Sequence, residues 1–136
     1  MSESEHKIKA KKPRGIGGVL QNQLLPLETN ERFIKRFSNL TLKILINAKD
    51  TKYAALVTFN NGKIFVESIK NKNKKDLKKK VLNWDGMLST STPLLLKIAT
   101  GKLSIMAMAR KIITRKLRIK GIKKLLIMRK IFELLI

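Results

Sequence analysis

The last third of the chain leaves the fewest choices of fold. Thr100-Gly101-Lys102 leads into a stretch rich in Met and Ala from Leu103 to Ile113, then into Leu117-Arg118-Ile119-Lys120-Gly121 and a mostly aliphatic terminal segment. Ser104 can cap a helix that carries Ile105, Met108 and Ile112 along one side, with Met106 and Ile113 beside them. Lys116, Arg118 and Lys120 alternate with Leu117 and Ile119, which predicts a strand with one basic, wetted face and one aliphatic, buried face. After Gly121 a helix is predicted to Ile136. Leu125, Met128, Phe132 and Leu135 form its stripe, and Leu126, Ile127 and Leu134 make it oilier than one buried face demands.

The preceding segments supply a sheet for these elements to cover. From Leu40 the apolar period is two, with Leu42, Ile44 and Ile46 on one face, and Tyr53, Ala55, Val57 and Phe59 alternate in the same way. Asn60-Asn61-Gly62 favours the positive φ angles of a tight hairpin into Ile64, Val66 and Ser68, so an antiparallel meander follows. Before the meander, Glu28 to Asn39 reads as a short helix capped by Thr29 or Asn30, with Phe33 and Phe37 on one face. After it, the lysines between Lys70 and Lys80 repel one another and favour a solvated loop or an exposed strand end. A further strand falls within Lys79 to Thr90, interrupted at Asp85-Gly86, and Thr92-Pro93 starts a helix that ends before Gly101. Residues 1–25 mix Ser, Lys, Pro and Gly without periodicity and are expected to form a flexible basic arm ahead of a single domain over 26–136.

Charge narrows the partners. The 31 Lys and Arg against 9 Asp and Glu give a formal net charge of +22, which points to an anionic partner: nucleic acid, anionic lipid headgroups or acidic protein. Cysteine is absent, so disulfides, thiolate chemistry and cysteine-based zinc sites are excluded. The one histidine, His6, lies in the expected arm, where no oriented triad forms, and Gly15-Ile16-Gly17-Gly18 lacks the strand and Lys-Ser/Thr of a phosphate loop. No catalysis, cofactor or metal is expected. The N-terminal lysines precede no apolar run of a secretory signal, and no uncharged run reaches the roughly 18 residues of a membrane span. A cytoplasmic protein, peripheral at membranes, is the expectation.

Taken in order, Asn61-Gly62-Lys63, Thr100-Gly101-Lys102, Leu117-Arg118-Ile119-Lys120-Gly121 and the apolar segment Ile122 to Ile136 make the chain resemble the sterol carrier protein type two family, the nonspecific lipid-transfer proteins. The resemblance covers about Leu40 to Ile136 and rests on the order of short motifs. Three features depart from it: a long Lys70 to Asp85 region, a slightly long stretch from Leu103 to Lys116 with Arg115 where Gly is common, and a C-terminal Phe132-Glu133-Leu134-Leu135-Ile136 that is no peroxisomal signal. It implies an α+β fold: a mostly antiparallel twisted sheet of about five strands covered on one side by helices. An apolar tunnel between the two would accept fatty-acyl or isoprenoid-like lipid.

On this reading the candidate lipid-binding residues are Leu95, Ile98, Met106, Met108, Ile112, Leu125, Met128 and Phe132. The plainer reading of the same stripes is core packing. The candidate membrane-docking residues are Lys74, Lys75, Lys78, Lys79, Lys80, Arg118, Lys120, Lys123 and Lys124. The function expected is non-catalytic binding or transfer of an apolar lipid, with an anionic membrane as partner. The alternative is a basic nucleic-acid-binding protein, against which stands the shortage of stacking aromatics, with 1 Trp and 1 Tyr.

Overall fold

The computed structural model describes residues 14–99, 107, 110, 111, 114 and 116–135, with the side chains of Ile98 and Ala99 outside that description. The meander is present. Strands β1 (Thr41–Ala48), β2 (Tyr53–Asn60) and β3 (Lys63–Lys70) pair antiparallel. Asn61 and Gly62, at φ 50° and 88°, make the two-residue turn whose twist matches the flanking strands. Strands β4 (Gly86–Thr90) and β5 (Leu117–Lys120) complete a five-stranded sheet in the order β3-β2-β1-β4-β5. β4 runs parallel to β1, and every other pairing is antiparallel.

A parallel neighbour requires the chain to cross the sheet between β3 and β4. The crossing segment holds a 3-10 turn (Lys74–Leu77) and a one-turn helix (Lys79–Leu82) ended by Asn83 in the left-handed region at φ 56°. Leu77, Leu82 and buried Trp84 pack with Leu45, Ala54, Leu56 and Met87 on one face of the sheet, and the Trp84 indole N–H donates to the Leu77 carbonyl at 2.9 Å. The lysine-rich stretch is therefore not simply a solvated loop. Its three spaced apolar side chains give the sheet a small second core, so helices on one side do not account for all the cover.

The main core lies on the other face. In sequence order, α1 (Ile16–Leu24), a 3-10 turn (Leu25–Thr29) and α2 (Glu31–Phe37) precede the sheet, α3 is the one-turn helix Lys79–Leu82, and α4 (Thr92–Ala99) and α5 (Ile122–Glu133) follow β4 and β5. In α2, Asn30 Oδ1 accepts the Phe33 N–H at 3.1 Å, which satisfies one of the donors a helix start leaves open. That cap points Phe33 inward, where its ring lies 6.3 Å from Phe59. α5 buries Met128, Ile131 and Phe132 beneath Leu42, Ile44 and Ile46 of β1 and their neighbours.

The expected arm boundary is corrected by α1. Ile16, Leu20 and Leu24 recur every four residues and are all buried in the main core, so the packed domain includes residues 16–24, which lie ahead of the expected boundary at 26. The two consecutive glycines hid this stripe, because Gly disfavours helix and supplies no side chain to count. The helix is tied at its start. Arg14 N–H donates to Ser68 Oγ, the Ser68 hydroxyl donates back to the Arg14 carbonyl at 2.8 Å, and the guanidinium donates to the Tyr53 hydroxyl at 3.2 Å. That last hydrogen bond, with the guanidinium's charge, lowers the Tyr53 phenol below its ordinary pKa.

Gly121, at φ 69°, closes β5 onto α5, and a Cβ there would stand 2.5 Å from the Asp85 carbonyl oxygen and 3.0 Å from Gly86 Cα. Backbone cannot give way as a side-chain end does. Gly121→Ala is expected to cost at least about 2 kcal/mol, against about 1 kcal/mol for Gly62→Ala, where nothing lies within 4 Å and only the φ angle is strained. Urea midpoints of the two variants test this; equal losses would contradict it.

Candidate functional site

Alternation in two adjacent strands builds the floor of the site. Ile46 of β1 and Leu88 of β4 are paired in register and point to the helical layer. Above them meet Ile16, Val19, Leu20 and Gln23 of α1, Leu95 and Leu96 of α4, and Phe132 of α5. They enclose an apolar cavity of about 20 Å3, roughly the room for one water and too small for an acyl chain. Val19 and Leu96 at its rim are each 43% exposed, although both are large and aliphatic. Among the described residues Gln23 is the one polar side chain of this lining, and none of them brings a charge to anchor a headgroup.

The start of α4 is held by a residue distant in sequence. Asp50, in the turn between β1 and β2, accepts from Thr92 N–H at 2.8 Å and from the Thr92 hydroxyl at 3.0 Å. Desolvation pushes the Asp50 carboxyl up, but the two Thr92 donors outweigh it and hold the group below the usual carboxylate range. The turn thereby sets where α4 presents Leu95 and Leu96.

The structure places the sequence-derived residues unevenly. Leu95 and Phe132 line the cavity. Met128 is 3% exposed and sits within the main core, with half-buried Leu125 packed against it, so both are packing residues in this conformation. Met106, Met108 and Ile112, and the side chain of Ile98, lie outside the described residues. The expected tunnel is thus, among the described residues, a small closed cavity whose walls include five residues of α1 and α4 that sequence reasoning missed. The signal for those of α1 was the spacing of Ile16, Leu20 and Leu24; β1 and β4 gave none, because which strands neighbour each other is a long-range property.

The docking candidates divide into two groups. Lys74, Lys78, Lys79, Arg118 and Lys120 surround a cleft on the opposite face of the sheet, and exposed Lys75 and Lys80 belong to the same crossing segment. Lys123 and Lys124 are exposed on the first turns of α5, in the helical layer. Groups of three or more His, Cys, Asp and Glu suited to a metal are absent among the described residues, and no described helix is long and apolar enough to cross a bilayer.

The chain has the sterol carrier protein 2 fold. Among solved structures it is similar to UbiJ-SCP2, a ubiquinone synthesis protein, with TM-score 0.59 and 13% identity over 99% of this chain and 96% of that one. It is also similar to sterol carrier protein-2 like-3 from Aedes aegypti, with TM-score 0.53 and 18% identity over 85% and 93% of the two chains. No protein-family model matches the sequence, and neither does any curated protein.

The Asp50 contacts make a pH prediction. A carboxyl whose folded pKa is depressed stabilises the fold above its unfolded pKa, near 3.8, and that contribution is lost as pH falls through the lower folded value. Asp50→Ala is expected to lose about 1 kcal/mol near neutrality, as for a helix cap, and the gap from the parent should close below pH 3.8. Urea titrations across pH test this, and a gap that persists to pH 2 would contradict it.

Proposed function

We propose that the protein binds an apolar lipid, fatty-acyl or isoprenoid-like, between the sheet and the helical layer, without catalysing a reaction on it. The observation that carries this reading is the cavity with Val19 and Leu96 left uncovered at its rim. Monomeric proteins leave single aliphatic residues exposed, but two that flank one apolar void mark a place where a guest could continue the interior. The fold shared with sterol carrier protein-2 like-3 supports the same reading. At about 20 Å3 the void is closed in this conformation, so loading requires α1 and α4 to part at Val19 and Leu96. A long acyl chain repays that opening: about 0.8 kcal/mol per buried methylene supports micromolar binding after ordering costs.

Exchange with a bilayer would use the helical layer. On the outer surface of α5, exposed Ile122 and Leu126 stand beside Lys123, Lys124 and Lys130, the mixture of oily and basic side chains that lies in a membrane interface. Each lysine near an anionic surface contributes about 1 kcal/mol at most, and salt screens it.

Titration with a pyrene-labelled fatty acid tests the site. Val19→Glu, an exposed position where a carboxylate leaves the helix intact, is expected to weaken binding at least tenfold with the circular dichroism spectrum unchanged. No binding to the parent, or equal binding to both proteins, would contradict the proposal. For docking, Lys123→Glu combined with Lys124→Glu should weaken binding to phosphatidylserine vesicles, and parent binding should fall steeply between 50 and about 200 mM salt. Salt-insensitive binding would count against the electrostatic part.

A further inference from the structure

Directly behind the apolar cavity, across the same two strands, lies a site of opposite character. Ile46 and Leu88 face the cavity, whereas Leu45, Asn47, Met87 and Ser89 line a cleft of about 740 Å3 on the second face. Six cations converge on it from three separate parts of the chain. Lys49 comes from the turn after β1, Lys74, Lys78 and Lys79 from the crossing segment, and Arg118 and Lys120 from β5.

Register arranges the floor. Leu45 pairs with Met87 and Met87 with Lys120, while Asn47 pairs with Ser89 and Ser89 with Arg118. One row therefore runs from aliphatic side chains to an ammonium, and the next from an amide and a hydroxyl to a guanidinium. Asn47 Nδ2 donates to Ser89 Oγ at 3.1 Å, which fixes the polar row. Leu77 and Trp84 add apolar lining from the crossing segment.

The charges are unbalanced within the protein. Among the described residues Asp85 is the one acid of this lining, and its Oδ2 already accepts the Lys43 N–H at 2.8 Å. None of the six cations makes an ion pair with a carboxylate among the described residues. Gathering like charges around a concavity raises the local potential and concentrates an anion there.

We propose that this cleft binds a small phosphate or diphosphate ester that carries an apolar group. Arg118 offers the planar fork that matches phosphate oxygens, the lysines supply the remaining charge, and Leu77 and Met87, backed by buried Leu45, take the apolar part. The volume lies within the range of small-molecule sites. A bilayer or a nucleic-acid strand would need only the basic rim; the aliphatic floor between the cations is what selects a small ester. This proposal does not depend on lipid binding in the helical layer.

Trp84, the chain's single tryptophan, lines the cleft and reports on it without a label. The full chain at about 50 mM salt is titrated with inorganic pyrophosphate and with monomeric decyl phosphate while its fluorescence is followed. Both are expected to give saturable changes, with decyl phosphate at least tenfold tighter. Arg118→Ala with Lys120→Ala, and separately Lys74→Ala with Lys78→Ala, all at exposed positions, should each weaken both ligands at least tenfold. Val19→Glu should leave these titrations unchanged, which separates this cleft from the cavity behind it. No saturable change with either ligand, or no loss in both double variants, would overturn the proposal. So would a response to phosphatidic acid vesicles without one to the free ester, or an RNA oligonucleotide that binds more tightly than decyl phosphate and is lost in the same variants.

Discussion

The position of β1 between an antiparallel and a parallel partner is the constraint on which the rest of the structure depends. The helical-layer face of β1 is fully buried, with Leu42, Ile44, Ile46 and Ala48 in the main core, and on the other face Leu45 enters the second core while Lys43 and Asn47 stay half-buried. The parallel register with β4 is pinned by one residue. Asp85 N–H donates to the Lys43 carbonyl at 2.7 Å while its carboxylate accepts the Lys43 N–H, so β4 can start only opposite Ile44. Gly121 then packs on Asp85 and Gly86, which sets where α5 crosses the sheet.

From that arrangement two chemically opposite surfaces follow. A one-residue step along β1 or β4 passes from an aliphatic floor under α1 and α4 to a mixed floor of Leu45, Asn47, Met87 and Ser89 ringed by cations. Among the described residues the helical side has no charge in its lining, and two aliphatic residues at its rim are exposed. The cations of the other side make no ion pair with a carboxylate among the described residues. A protein with a formal net charge of +22 has little choice but to spread lysines widely, yet the convergence of six on one concavity comes from register and crossover, not from composition.

Local chemistry was legible in the sequence where it is decided locally. The Asn61-Gly62 turn, the Asn30 cap, the alternation of β1 to β3 and the basic outer face of Arg118 and Lys120 each depend on a few adjacent residues. The family resemblance supplied the sheet with its helical cover. What stayed hidden was long-range or diluted. Parallel pairing of β1 with β4 leaves no local mark, Gly17 and Gly18 masked the stripe of α1, and the lysines around Leu77, Leu82 and Trp84 disguised a segment that packs. Ile131, fully buried, lies outside the predicted stripe of Leu125, Met128, Phe132 and Leu135, three residues after Met128 on its flank.

In the proposed function the helical layer closes over an apolar guest. Native mass spectrometry of freshly purified protein, followed by organic extraction, reads that guest without a label. A species heavier than the bare chain by the mass of one apolar lipid is expected, with the same mass recovered in the extract. A single species at the mass of the bare chain, unchanged after incubation with fatty acids and isoprenoid alcohols, would contradict it.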